Sequence, residues 1–109
     1  MKNPGNSSLF DSIITEARKK EIDPEKLATL LMELRESAKV QEDPLLVKLL
    51  RMAAEHLRNN GSFELAARFE DGLPDDVSNL EYFIDLIADS GNKFNREELQ
   101  EFKAALAQG

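Results

Sequence analysis

The chain has 109 residues, 41% apolar and 32% charged, a balance that fits one globular domain with one core and excludes a disordered chain. It contains no Cys, which removes disulfides, thiolate chemistry and Cys-based zinc sites, and its apolar runs, such as Leu86-Ile87-Ala88, are too short to span a membrane. The net charge of −7 comes wholly from residues 61–109, because acids and bases cancel over residues 1–60.

Met1 to Phe10 carry one Lys and no apolar stretch, unlike a secretory leader, so a cytoplasmic location is expected. Gly5, Asn6 and Ser7 suggest that residues 1–7 form a disordered arm before a single helical domain over 8–109. Every later segment has a period near 3.6, and none alternates as a strand does. The fold class is therefore all-α, a compact bundle of five to six short helices. Roughly three quarters of the chain should be helical, well above the usual third.

Ser8, with Asp11 three residues on, predicts the start of a first helix running to about Lys20. Its apolar positions are Leu9, Phe10, Ile13, Ile14 and Ala17, and Arg18, Lys19 and Lys20 suit the dipole of its last turn. Asp23-Pro24 predicts a second helix, with Asp as N-cap and Pro at the first helical position. Leu27, Leu30, Leu31, Leu34 and Ala38 form its stripe, with Ile22 and Leu27 as a hydrophobic staple. Met32 lies off that stripe and fits either a gap in the core or a second copy of the chain, so a homo-oligomer is possible.

Asp43-Pro44 repeats the start signal. In the third helix Lys48, Arg51, Glu55 and Arg58 fall on one narrow polar stripe, while Leu45, Leu46, Leu49, Leu50, Ala53, Ala54 and Leu57 cover the rest. A helix apolar nearly all round has several neighbours, so this one should be the centre of the bundle, with Leu50 and Leu57 buried. Asn59-Asn60-Gly61 signals a left-handed cap. Ser62 then opens a short helix with Leu65, Ala66 and Phe69 inward and Glu64 paired with Arg68, ended by Gly72-Leu73-Pro74. Ser78-x-x-Glu81 reads as a capping box for the next helix, with Leu80, Phe83, Ile84 and Ile87 inward. After a loop at Ser90 to Lys93, Asn95-x-x-Glu98 starts a last helix, with Phe94 and Leu99 as staple and Phe102 and Leu106 inward.

Two stretches join helices through a Gly turn followed by Phe: residues 57–63, ending at Phe63, and residues 88–94, ending at Phe94. Leu50, Ala54, Leu57, Gly61, Phe63 and Ala66 give residues 50–69 a spacing that loosely resembles one tetratricopeptide hairpin, with the later aromatic displaced by one to Phe69. That resemblance implies a scaffold for binding peptides or proteins. Asp89 to Glu98 slightly resembles half an EF-hand, but the alignment puts Ile87 and Gly91 where that family has ligands, so calcium is not expected.

His56 is the single histidine and lies in line with Leu49 and Ala53, which suits a half-buried packing residue. No Cys, second His or neighbouring acid completes a triad or a metal set, so neither catalysis nor a metal or other cofactor is expected. Glu81, Asp85 and Asp89 share a face at i, i+4 and i+8, and Tyr82 stands beside them. Tyr82 fits either an interface anchor among acids or a staple onto Val77. Direct nucleic-acid binding is not expected of so acidic a chain, despite the cations at Arg18-Lys19-Lys20 and along Lys48, Arg51 and Arg58. The function these features suggest is a non-catalytic protein-interaction module, an adaptor, regulator or complex subunit. Its acidic C-terminal half would meet a basic partner surface through Tyr82, Glu81, Asp85 and Asp89. The alternative is a small acidic inhibitor or immunity-type protein that blocks a basic, nucleic-acid-binding enzyme.

Overall fold

The computed structural model describes residues 5–63 and 79–108. They form α1 (Ser7–Ala17), α2 (Pro24–Val40), α3 (Pro44–Asn60), α4 (Asn79–Ala88) and α5 (Lys93–Gln108), with no strand among them. The expected short helix after Ser62, its Glu64–Arg68 pair, and the Val77 and Ser78 signals lie outside the described residues.

The two Asp-Pro starts act as their chemistry requires. The Asp23 carboxylate accepts a hydrogen bond from the Lys26 backbone N–H at 3.2 Å, and Asp43 accepts from the Leu46 N–H at 3.4 Å. Each satisfies a donor that the first helical turn leaves over. The first helix starts differently from the sequence expectation. It opens at Ser7, with Asn6 at the cap position and no side-chain cap bond. Asn6, assigned by sequence to the arm, is buried. The helix also stops at Ala17, where the Lys19 N–H turns back to the Glu16 carbonyl. Arg18, Lys19 and Lys20 therefore lie beyond its last turn.

α3 is the central helix. Leu46, Leu49, Leu50, Ala53, Ala54 and Leu57 all have 0% exposure, and Lys48, Arg51, Glu55 and Arg58 form the exposed stripe. Burying each of those leucines is worth about 2 kcal/mol relative to leaving it in water. α2 lies along α3, and α3 also packs on α5. α1 packs on α2 and α4, and α4 on α5, which closes the bundle. Met32 is half-buried and packs on the core. α4 is more enclosed than its sequence suggests, because Leu86 is buried along with Leu80, Phe83, Ile84 and Ile87.

Two turns use contrasting chemistry. Gly61 ends α3 at φ 75°, donating to the Leu57 carbonyl at 2.8 Å, as its residue type allows. α2 ends in the same left-handed manner at Glu42, φ 55°. There the Glu42 N–H donates to Lys39 O and the Asp43 N–H to Ala38 O, the paired bonds of a Schellman cap. A side chain in this backbone region is strained, and Gly is the residue the geometry favours. Glu42→Gly should therefore raise stability by about 0.5–1 kcal/mol, after allowing for the extra freedom of the unfolded chain. The urea unfolding midpoint measures this, and an unchanged or lowered midpoint would refute the strain.

The start of α5 also departs from expectation. Asn92, not Asn95, is the cap residue: its side chain accepts from the N–H groups of Phe94 at 2.8 Å and Asn95 at 3.4 Å. The helix therefore begins at Lys93, inside the expected loop. Phe94 falls in its first turn and is 73% exposed, so it does not staple onto Leu99. The parallel between the two Gly turns breaks here, since Phe63 is buried at 4%.

Candidate functional site

The four residues singled out on α4 are not placed alike. Glu81 turns inward. Its side chain is 9% exposed and its Oε1 accepts two bonds from Arg18, from Nε at 3.0 Å and from Nη2 at 2.5 Å. This contact joins the end of α1 to α4 and explains why Arg18 is drawn away from the helix dipole. Tyr82 is half-buried and packs its ring 6.0 Å from that of Phe102. Asp85 and Asp89 stay exposed. Of the expected acidic face, α4 thus presents Asp85 and the edge of Tyr82, with Asp89 in the turn just after it.

α5 extends that face in a way the sequence reading did not include. Its Glu97 and Glu101 are exposed, and Lys93 is the fully exposed cation of α4 and α5. Among the described residues Asp89, Glu97 and Glu101 form no ion pair, whereas cations on α1–α3 are mostly matched: Lys39 with Glu36, Arg51 with Glu55, Arg58 with Glu25. The signal available in sequence was the i, i+4 spacing of Glu97 and Glu101. Among the described residues no three His, Asp or Glu side chains come close enough to hold a metal ion. The carboxylates form a spread field rather than a chelating cluster.

A buried carboxylate also lies where none was expected. Glu16 is 5% exposed and its Oε1 accepts from Lys19 at 2.8 Å and pairs with Lys26 at 3.0 Å. The hydrogen bond from Lys19, then that from Lys26, holds its carboxyl below the usual range.

His56 is half-buried, edge-on to Phe63 at 5.7 Å. Its Nδ1 lies 3.3 Å from the Asn60 amide nitrogen, and that amide also donates to the His56 carbonyl at 3.0 Å. Beside it, α3 and α5 enclose a cleft of about 330 Å³ lined by residues that include Lys48, Arg51, Met52, Asn60 and Leu106. The neighbouring carboxylate, Glu55, is bonded to Arg51 at 3.1 Å. Among the described residues the cleft's lining is cationic and amide-bearing, with His56, Lys48, Arg51, Asn59 and Asn60.

Leu50, Ala54, Leu57 and Phe63, four of the tetratricopeptide-like positions, are buried, while Ala66 and Phe69 lie outside the described residues. No described helix is long and apolar enough to cross a membrane. No family model matches the chain, and no curated protein or solved structure matches it either.

Proposed function

We propose that this protein is a non-catalytic protein-interaction module whose acidic outer face on α4 and α5 docks on a basic surface of a protein partner. The supporting observation is charge segregation. Asp85, Asp89, Glu97 and Glu101 are exposed on these two helices and the turn between them against Lys93. Among the described residues Asp89, Glu97 and Glu101 have no cation of their own. A field of one sign raises the association rate with an oppositely charged partner and disfavours wrong ones. Tyr82 lends an aromatic edge at the margin of this face, although most of its ring serves the core.

The test is affinity capture with the wild type and with Asp85→Lys/Asp89→Lys, at low and at moderate salt, read by mass spectrometry. Both side chains are exposed, and a thermal melt of the variant beside the wild type separates lost binding from lost fold. The expected result is a stoichiometric basic partner that is lost as salt rises and lost with the double reversal. No basic partner, or one indifferent to the reversal, would overturn the reading. If the captured protein is a nuclease or another nucleic-acid-binding enzyme that binding silences, the module acts as an inhibitor, its carboxylates standing where phosphates would lie.

A further inference from the structure

Among the described residues two large apolar side chains stand in water: Val40, 84% exposed, and Phe94, 73% exposed. Both belong to one end of the bundle. Val40 is the last residue of α2 and Phe94 the second of α5. The turns beside them are tied together by Arg96, which donates through Nη1 to Asp43 Oδ1 at 3.0 Å and through Nε to the Ser90 carbonyl at 2.7 Å.

Next to Val40 in the chain, a groove of about 630 Å³ runs along the start of α3. Pro44 and Val47 give it an apolar floor, and Lys39, Lys48 and Arg51 stand around it. Of the two acids there, Asp43 is engaged by Arg96, while two of the three cations carry exposed partners of their own, Lys39 with Glu36 and Arg51 with Glu55. Among the described residues Lys48 has no ion pair, which makes it the groove's open cation. The groove therefore fits an apolar side chain flanked by carboxylates.

The chain itself carries such an element. Phe94, Glu97 and Glu101 are exposed and fall at i, i+3 and i+7, one stripe of α5, and among the described residues neither glutamate has an ion pair. We propose that the protein self-associates, with Phe94 of one copy seated on Pro44 and Val47 of a second and its Glu97 and Glu101 facing Lys48 and Arg51. The complementarity lies within one sequence, so each copy supplies both halves of the contact. The aromatic ring is the anchor, since a large apolar group that loses its water dominates such contacts, and the charge pairs set orientation and selectivity. This contact shares Glu97 and Glu101 with the proposed partner face but does not use Asp85 or Asp89. Asp85→Lys/Asp89→Lys should therefore leave self-association intact, and Phe94→Ser or Lys48→Glu should leave the partner contact intact, which lets the two readings succeed or fail separately.

Sedimentation equilibrium from micromolar to millimolar protein, at low and at high salt, tests the proposal. The wild type should show a concentration-dependent larger species that salt weakens. Phe94→Ser should weaken it about tenfold or more, as should Lys48→Glu and Glu97→Lys alone. Mixing Lys48→Glu protein with Glu97→Lys protein should restore association, because the exchanged charges again face each other. All three side chains are exposed, so thermal melts should stay at the wild-type temperature. A monomer over the whole range overturns the proposal, whether or not another protein occupies the groove. So does an association that Phe94→Ser leaves unchanged.

Discussion

Replacing Phe102 by alanine should destabilise the protein by about 3–5 kcal/mol, a large share of the roughly 5–15 kcal/mol that holds a domain together. Phe102 has 0% exposure and sits where three other rings meet. Its centre lies 5.2 Å from Phe83, 6.0 Å from Tyr82 and 6.4 Å from Phe63. Phe63 and Phe83 are themselves 5.4 Å apart, so the rings form a cluster rather than a row. Removing the central ring costs its transfer free energy and leaves a cavity that its rigid neighbours cannot fill by rotating. For a chain of this length each kcal/mol lowers Tm by about 4 °C or more, so the loss should be plain in a thermal melt. Phe102→Leu retains an apolar filler and should cost about half as much. If Phe102→Ala costs under about 1 kcal/mol, the cluster is not the core of the C-terminal half.

The same cluster explains what becomes of Tyr82. Its position on α4 fits either an interface anchor among acids or a staple onto Val77, and α5 brings Phe102 against it. The ring then serves the core and only its margin reaches solvent. A residue whose surroundings come from a helix twenty residues away cannot be placed by the pattern of its own helix.

Legibility in the sequence followed the range of the forces involved. Asp23-Pro24, Asp43-Pro44 and Asn60-Gly61 are local signals, each fulfilled by a bond spanning three or four residues. The burial of Leu50 and Leu57 follows from the 3.6 period, because a helix with one narrow polar stripe has nowhere else to place them. Glu81 and Glu16 show where local reasoning ends. Both look like members of charged surfaces, yet each is buried against cations, and Arg18 comes from 63 residues away in the chain. Phe94 shows a second limit, since two capping patterns three residues apart compete and the hydrogen bonds of Asn92 decide between them. Of the four residues singled out by sequence, Asp85 and Asp89 are the exposed ones, and Glu97 and Glu101 on α5 are exposed as well.

Asp43 is the residue whose polar contacts should matter most, because it does two jobs at once. It caps α3 through the Leu46 N–H, and it holds Arg96, so it fastens the central helix and the start of α5 to one carboxylate. Its side chain is 17% exposed, which shields the pair from solvent better than the surface pairs elsewhere. Asp43→Ala should cost about 2–4 kcal/mol, combining about 1 kcal/mol for the cap with the loss of a partly buried, doubly bonded partner for Arg96. Asp43→Asn keeps an acceptor at the cap and should cost about half of that. Arg96→Ala leaves the cap intact and should fall in the same range as the Asn variant, with a coupling of about 1 kcal/mol in the double-mutant cycle. The acid limb of the stability curve gives an independent reading. The hydrogen bond from Arg96 holds the Asp43 carboxyl below its ordinary value of 3.8. A carboxyl depressed by folding binds its proton less readily in the native state. Its contribution is therefore complete above the ordinary value and fades as pH falls through the lower, folded one. Glu16 acts in the same direction from its ordinary value of 4.5. Stability should thus decline below about pH 4 in the wild type and decline less steeply in Asp43→Asn, where one of these carboxyls is gone. Equal acid slopes in the two proteins would mean that the Arg96 contact does not hold the Asp43 carboxyl in its charged form.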